Sequence, residues 1–128
     1  MLLFRNAASS LICVLLCSFT EAKTVTYDFN ITSVLANPDG LCEREVIGIN
    51  GQWPLPEIHV DKGSRLIVNV QNHLETQTTA LHWHGLFLEG ATYMDGPTQV
   101  TQCEIGPGGS FTYNFTIDQP GTSVHILA

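Results

Sequence analysis

Two histidines spaced one residue apart, His82 and His84 in Leu81-His82-Trp83-His84-Gly85-Leu86, are the residues of this chain best disposed to do chemistry. In an extended strand, side chains two apart leave the same face, so the two imidazoles stand side by side with their backbones roughly 7 Å apart. Two nitrogens placed this way can serve one metal ion or two adjacent ones. Imidazole suits copper or zinc, whereas calcium and magnesium prefer oxygen ligands. Trp83 points to the opposite face, where an indole packs into a core, and Gly85 permits a close bend directly after the pair. By itself a His-x-His pair is weak evidence, since two exposed or hydrogen-bonded histidines explain it as often as a metal does. His59 and His73 fit no ligand spacing and read as surface or hydrogen-bonded histidines.

The elements that must hold the pair alternate with period two. Val25, Tyr27, Phe29 and Ile31 oppose Thr26, Asp28 and Asn30, the pattern of a half-buried strand. Asn37-Pro38-Asp39-Gly40 breaks it, Glu45 to Ile49 resumes it, and Asn50-Gly51 with Pro54 and Pro56 breaks it again. Ile58 and Val60 begin another extended piece that turns at Asp61-Lys62-Gly63 into Arg65 to Val70, a hairpin-like pair. Thr79 to His84, Gln99 to Ile105 and Ser110 to Ile117 complete seven strand candidates, and no segment has a helical period. The pattern predicts an all-β sandwich or barrel.

Arg5, the apolar run Leu11 to Cys17 and Thr20-Glu21-Ala22 make residues 1–22 a secretory signal peptide, too short in its apolar part for the roughly 20 residues of a membrane span. Residues 23–128 then form one domain. Four basic residues there face eleven carboxylates with no basic block, so charge argues against nucleic acid and anionic membranes as partners. Two cysteines remain after residue 22, Cys42 and Cys103. In an oxidising compartment they are disulfide candidates, bridged to each other or to partners elsewhere. Asn30-Ile31-Thr32 and Asn114-Phe115-Thr116 are N-glycosylation sequons and agree with a secreted, extracellular or cell-surface destination.

Four motifs in order carry a resemblance: Asn50-Gly51-Gln52-Trp53-Pro54-Leu55-Pro56; His82-Trp83-His84-Gly85-Leu86; Met94-Asp95-Gly96-Pro97 with Val100-Thr101-Gln102-Cys103; and Gln119-Pro120-Gly121-Thr122. Together they resemble the first domain of the fungal multicopper oxidases, the laccase and ferroxidase family. The stretch from Asn37 through Asn50 is closer to the ferroxidases of fungal iron uptake. The resemblance implies a plastocyanin-like (cupredoxin) Greek-key β-fold and an oxidoreductase that takes single electrons from Fe(II) or a phenol and reduces dioxygen to water. It implies copper as cofactor, with His82 like a type 2 ligand and His84 like a type 3 ligand. Asp95, thirteen residues beyond His82, resembles an acidic group near the metal cluster that accepts hydrogen bonds and helps move protons. From the residues alone, Asp95-Gly96 is equally a turn. Cys103 resembles a cysteine bridged in the family to a distant C-terminal segment. The implied partners are the remaining cupredoxin domains of a full-length oxidase and, for a ferroxidase, an iron permease.

The chain departs from the family after Thr122, where a second His-x-His is expected and Ser123-Val124-His125-Ile126-Leu127-Ala128 stands instead. In the preserved register the ligand positions fall on Ile126 and Ala128, while His125 is one place early and faces the other way. This loss predicts an incomplete last strand and a truncated product, a gene-model error or an alternative splice form. Neither Cys42 nor Cys103 is followed by the His and Met of a type 1 copper site. Three readings follow: a ligand-contributing first domain that is not competent alone, a non-catalytic copper or zinc module, and an inactive remnant.

Overall fold

A computed structural model describes residues 23–127; the expected signal peptide lies outside the described residues. Six strands are present among them: β1 (Thr24–Ala36), β2 (Arg44–Ile49), β3 (Arg65–Asn72), β4 (Leu81–His84), β5 (Ser110–Thr116) and β6 (Val124–Leu127). Four form a sheet in the order β2-β1-β3-β5, with β1 and β3 parallel and the other pairs antiparallel. The antiparallel pair β4-β6 forms a second sheet. Phe29, Ile31, Leu66, Val68, Val70, Tyr113 and Phe115 of the first sheet form one buried cluster with Leu81 and Trp83 of the second, so the core lies between two layers. The expected all-β, cupredoxin-like architecture is the one observed.

Alternation explains the layers. Along β3 the even-numbered Leu66, Val68, Val70 and Asn72 are buried while Arg65 and its alternates are not. The outer face carries a polar ladder across three strands: Asn69 Nδ2 donates to Asp28 Oδ1 (2.8 Å) and Thr112 Oγ1 to Asn69 Oδ1 (2.9 Å). Asn50 and Gly51, both at positive φ, close the tight turn after β2, with Ile49 and Gln52 exchanging backbone hydrogen bonds.

Two strand expectations are corrected. Ile58 and Val60 lie in a loop packed on the core, because both edges of β3 are already taken by β1 and β5 and no hairpin edge is left for them. The segment from Gln99 to Ile105 is a turn region. Gln99 has φ 61°, the amides of Val100 and Thr101 point to the Pro97 carbonyl, Gln102 bridges locally to Thr98, and Ile105 bridges to Thr79. Strand β4 accordingly starts at Leu81 rather than Thr79, and a single turn of 3-10 helix, Thr92–Met94, appears in the following loop. The last strand is four residues long and pairs with β4 along its whole length, Leu81 opposite Leu127 and His84 opposite Val124.

Candidate metal centre

Strand β4 has two unlike faces. Inward, Leu81 is fully buried and Trp83 is 3% exposed, its indole edge-on to Tyr113 (centroids 5.5 Å) and Phe115 (5.2 Å). The Tyr113 hydroxyl accepts the Leu81 N–H at 2.9 Å, which ties the start of the strand to the main sheet. Burial pushes the Tyr113 hydroxyl above its usual range, against the lowering effect of that donor. Outward, His82 and His84 share the solvent-facing side with ring centroids 5.6 Å apart at an interplanar angle of 83°.

His82 is held from behind. Its Nδ1 lies 2.9 Å from the Asp95 carbonyl oxygen, which can only accept, so the proton is assigned to Nδ1 and the lone pair to Nε2. The Asp95 carboxylate stands 3.4 Å from the same nitrogen. A backbone or carboxylate oxygen behind an imidazole fixes its tautomer and orients the free nitrogen for a metal. The Asp95 carbonyl also accepts the Trp83 N–H at 3.1 Å, so one loop residue holds both the backbone of the strand and its outward histidine.

That grip depends on Gly96. A Cβ there would meet the Leu81 carbonyl oxygen at 1.9 Å, and φ is +99°. The loop therefore lies directly on β4 where only glycine fits. On the other side, Gln119 spans the bend after His84, donating from Nε2 to the Gly85 carbonyl (2.7 Å) and accepting the Phe87 N–H at Oε1 (3.0 Å). Asp95 was legible as a resemblance, and Gln119 and Gly96 only as parts of motifs. Their contacts run between segments far apart in sequence, so no local spacing reports them.

The remaining residues singled out in the sequence lie elsewhere. His125 sits opposite Trp83 in register, its ring against Phe29 (5.9 Å) and Trp83 (6.3 Å), with Nε2 donating to the Pro56 carbonyl at 3.0 Å. It is on the core side, away from the pair. Ile126 and Val124 flank His82 and His84 across the strand pair and are exposed. His73 contacts Asn30 Oδ1 (3.2 Å) and His59 contacts Glu57 (3.2 Å), both at the surface. Cys42 and Cys103 are both free and exposed, so the alternative in which they bridge each other is not formed: one lies in the loop entering β2, the other in the turn region before Ile105. Asn30 and Asn114 stand on the outer face of the main sheet, on β1 and β5.

No group of three or more His, Cys, Asp or Glu side chains converges on one point among the described residues. Two imidazoles on one face, one with its rear nitrogen satisfied, fit copper or zinc as a partial ligand set. A cavity of about 520 Å³ opens beside His84, lined also by Gly85, Gln119 and Val124.

A family model described as multicopper oxidase matches residues 30–126. The chain is 61% identical over 102 residues to an iron transport multicopper oxidase, FET3, of Gibberella zeae, covering 80% of this chain and 16% of that protein. The crystal structure of Fet3p, a multicopper oxidase that functions in iron import, superposes with a TM-score of 0.72 at 43% identity over 75% of this chain and 18% of the other. The laccase from Botrytis aclada gives a TM-score of 0.71 at 38% identity, with 75% and 18% covered. The chain thus spans about a sixth of the length of its curated relatives.

Proposed function

Since the chain belongs to the multicopper oxidase family, whose metal is copper, we propose that it is the first cupredoxin-like domain of a secreted oxidase and contributes two copper ligands to it. The observation that carries the reading is the held imidazole: His82 Nδ1 is occupied by Asp95, which leaves Nε2 free beside His84 on an open face. In this reading His82 is the type 2 and His84 the type 3 ligand. Copper bound there would supply one-electron redox chemistry.

This chain's own residues orient and exchange protons. The Asp95 carbonyl keeps the His82 proton on Nδ1, and the Asp95 carboxylate, 29% exposed, can take a proton from solvent and deliver it to the histidine face. Gln119 fixes the bend that sets the position of His84. Exposed Val124 and Ile126 beside the pair suit a surface covered by further domains of a longer protein. The names of the relatives favour an electron donor connected with iron transport, Fe(II), over a phenol, and for such an enzyme an iron permease is the fitting partner. Residues 1–22 would direct the chain into the secretory pathway, to the cell surface or beyond.

A second reading, a two-histidine copper or zinc module without turnover, is favoured for the chain alone, because among the described residues no third ligand joins the pair. Copper stoichiometry and oxygen uptake, with Fe(II) and with a phenol as donor, test both. The expected result is copper retention that is lost in His82→Ala and His84→Ala, without oxygen uptake by the chain alone. Copper retained in the doubly substituted chain would overturn the assignment of the ligands, and oxygen uptake by the chain alone would overturn the view that further ligands are needed.

A further inference from the structure

The two sequons differ in their surroundings. Asn30 is exposed on β1 and both ends of its amide are engaged, Nδ2 donating to Asn50 Oδ1 (3.2 Å) and Oδ1 meeting His73 Nε2 (3.2 Å). Asn114, on β5, has its Oδ1 fixed by Arg65 Nε at 2.8 Å, while its Nδ2, the atom to which a glycan is joined, makes no hydrogen bond among the described residues. Asn114 also lines an open cavity of about 560 Å³ whose far wall is built by the loop after β4.

That wall carries two aromatic side chains with little to cover them: Phe87 is 77% exposed and Tyr93 59%. Both line the same cavity as Asn114, as do the carboxylates of Glu89 and Asp118. Exposed aromatics gathered at a concave site mark a binding surface. The flat C–H face of a pyranose fits an aromatic ring, and its hydroxyls suit neighbouring carboxylates. The loop is itself held in place, because Gln119 accepts the Phe87 N–H and the Thr92–Met94 turn follows directly.

We propose that the cavity between Asn114 and the Phe87 to Tyr93 loop is an intramolecular seat for the first sugars of an N-linked glycan on Asn114. The glycan then covers Phe87 and Tyr93 and pins the loop that follows the two histidines to the sheet. The glycan on Asn30 has no such seat and projects freely. The inference rests on the secretory reading above.

The test is site-resolved mass spectrometry of the full chain secreted from a eukaryotic host, followed by release of each glycan with an endoglycosidase under native conditions. Both sequons are expected to be occupied, with release from Asn114 several-fold slower than from Asn30. In Phe87→Ser/Tyr93→Ser, whose changes fall on exposed side chains, the two rates should become equal. Occupancy at Asn30 without Asn114, equal release rates in the unsubstituted chain, or a rate difference that survives in the double variant each overturns the seat while leaving the secretory reading intact. Absence of glycan at both sites also overturns the seat, whereas failure of the host to secrete the chain overturns the secretory reading.

Discussion

The two faces of strand β4, four residues long, do opposite jobs. The inner face, Leu81 and Trp83, is buried against three aromatic rings and fixes the strand; the outer face, His82 and His84, contributes little packing and presents nitrogen. The difference shows how a protein can place polar side chains in an exposed position without letting them wander. Rigidity is supplied by the residues in between, and because side chains alternate, each histidine is flanked by an anchor. The same alternation places His125 with Trp83 in the core and Ile126 beside His82.

If the anchors carry the stability and the ligands do not, substitutions on the two faces should separate cleanly. Trp83→Ala is expected to have the largest effect, a loss of about 3–5 kcal/mol, since it removes a buried indole and leaves a cavity between Tyr113 and Phe115. Denaturant titration measures it, and a loss below about 1 kcal/mol would mean that the core does not depend on this strand. Gly96→Ala should come next at about 2–4 kcal/mol, combining left-handed backbone strain with a clash against the Leu81 carbonyl. It should also push Asp95 off His82, seen by NMR as a change in the His82 tautomer.

The division between faces could be read from the sequence, but the devices that enforce it could not. Period-two alternation requires His82 and His84 to share a face opposite Trp83, whatever the rest of the chain does. It also required that His125, one residue out of step with the ligand positions, turn inward. The same alternation misled at Gln99 to Ile105, where Val100, Thr101 and Ile105 have strand-forming side chains but the positive φ of Gln99 and the Pro97 carbonyl close a turn. Ile58 and Val60 failed for a global reason, the occupation of both β3 edges. Asp95 was placed near the histidines by resemblance alone. Its carbonyl bond to His82 and the space that Gly96 must leave empty belong to a loop folding back across thirteen residues, which no local pattern encodes.

Tyr113 probes the inner face by pH. Burial raises its pKa above the ordinary value of 10.0, so the folded state favours the neutral hydroxyl. Its contribution is therefore complete below about pH 10 and is lost as pH rises towards the folded-state value, where the unfolded chain ionises first. Stability measured between pH 8 and 11 should fall on the alkaline side, on a scale of about 1.4 kcal/mol per unit of pKa shift. Tyr113→Phe should flatten this alkaline fall. It should also cost about 1–3 kcal/mol at neutral pH, because the buried Leu81 N–H loses its acceptor. An unchanged alkaline slope in Tyr113→Phe would mean that another group governs it.

The smallest effect on stability is expected at the two residues proposed as copper ligands. His84 is exposed and makes no side-chain hydrogen bond among the described residues, so His84→Ala should change stability by no more than about 0.5 kcal/mol. His82→Ala gives up the bond to the Asp95 carbonyl, yet that oxygen keeps the Trp83 N–H, so the cost should stay near 1 kcal/mol. Added Cu(II) should raise the melting temperature of the unsubstituted chain by mass action and leave both variants unmoved. A large loss of stability in either variant without metal would mean that the outer face is structural after all, and the comparison between the two faces of β4 would collapse into a single packed strand.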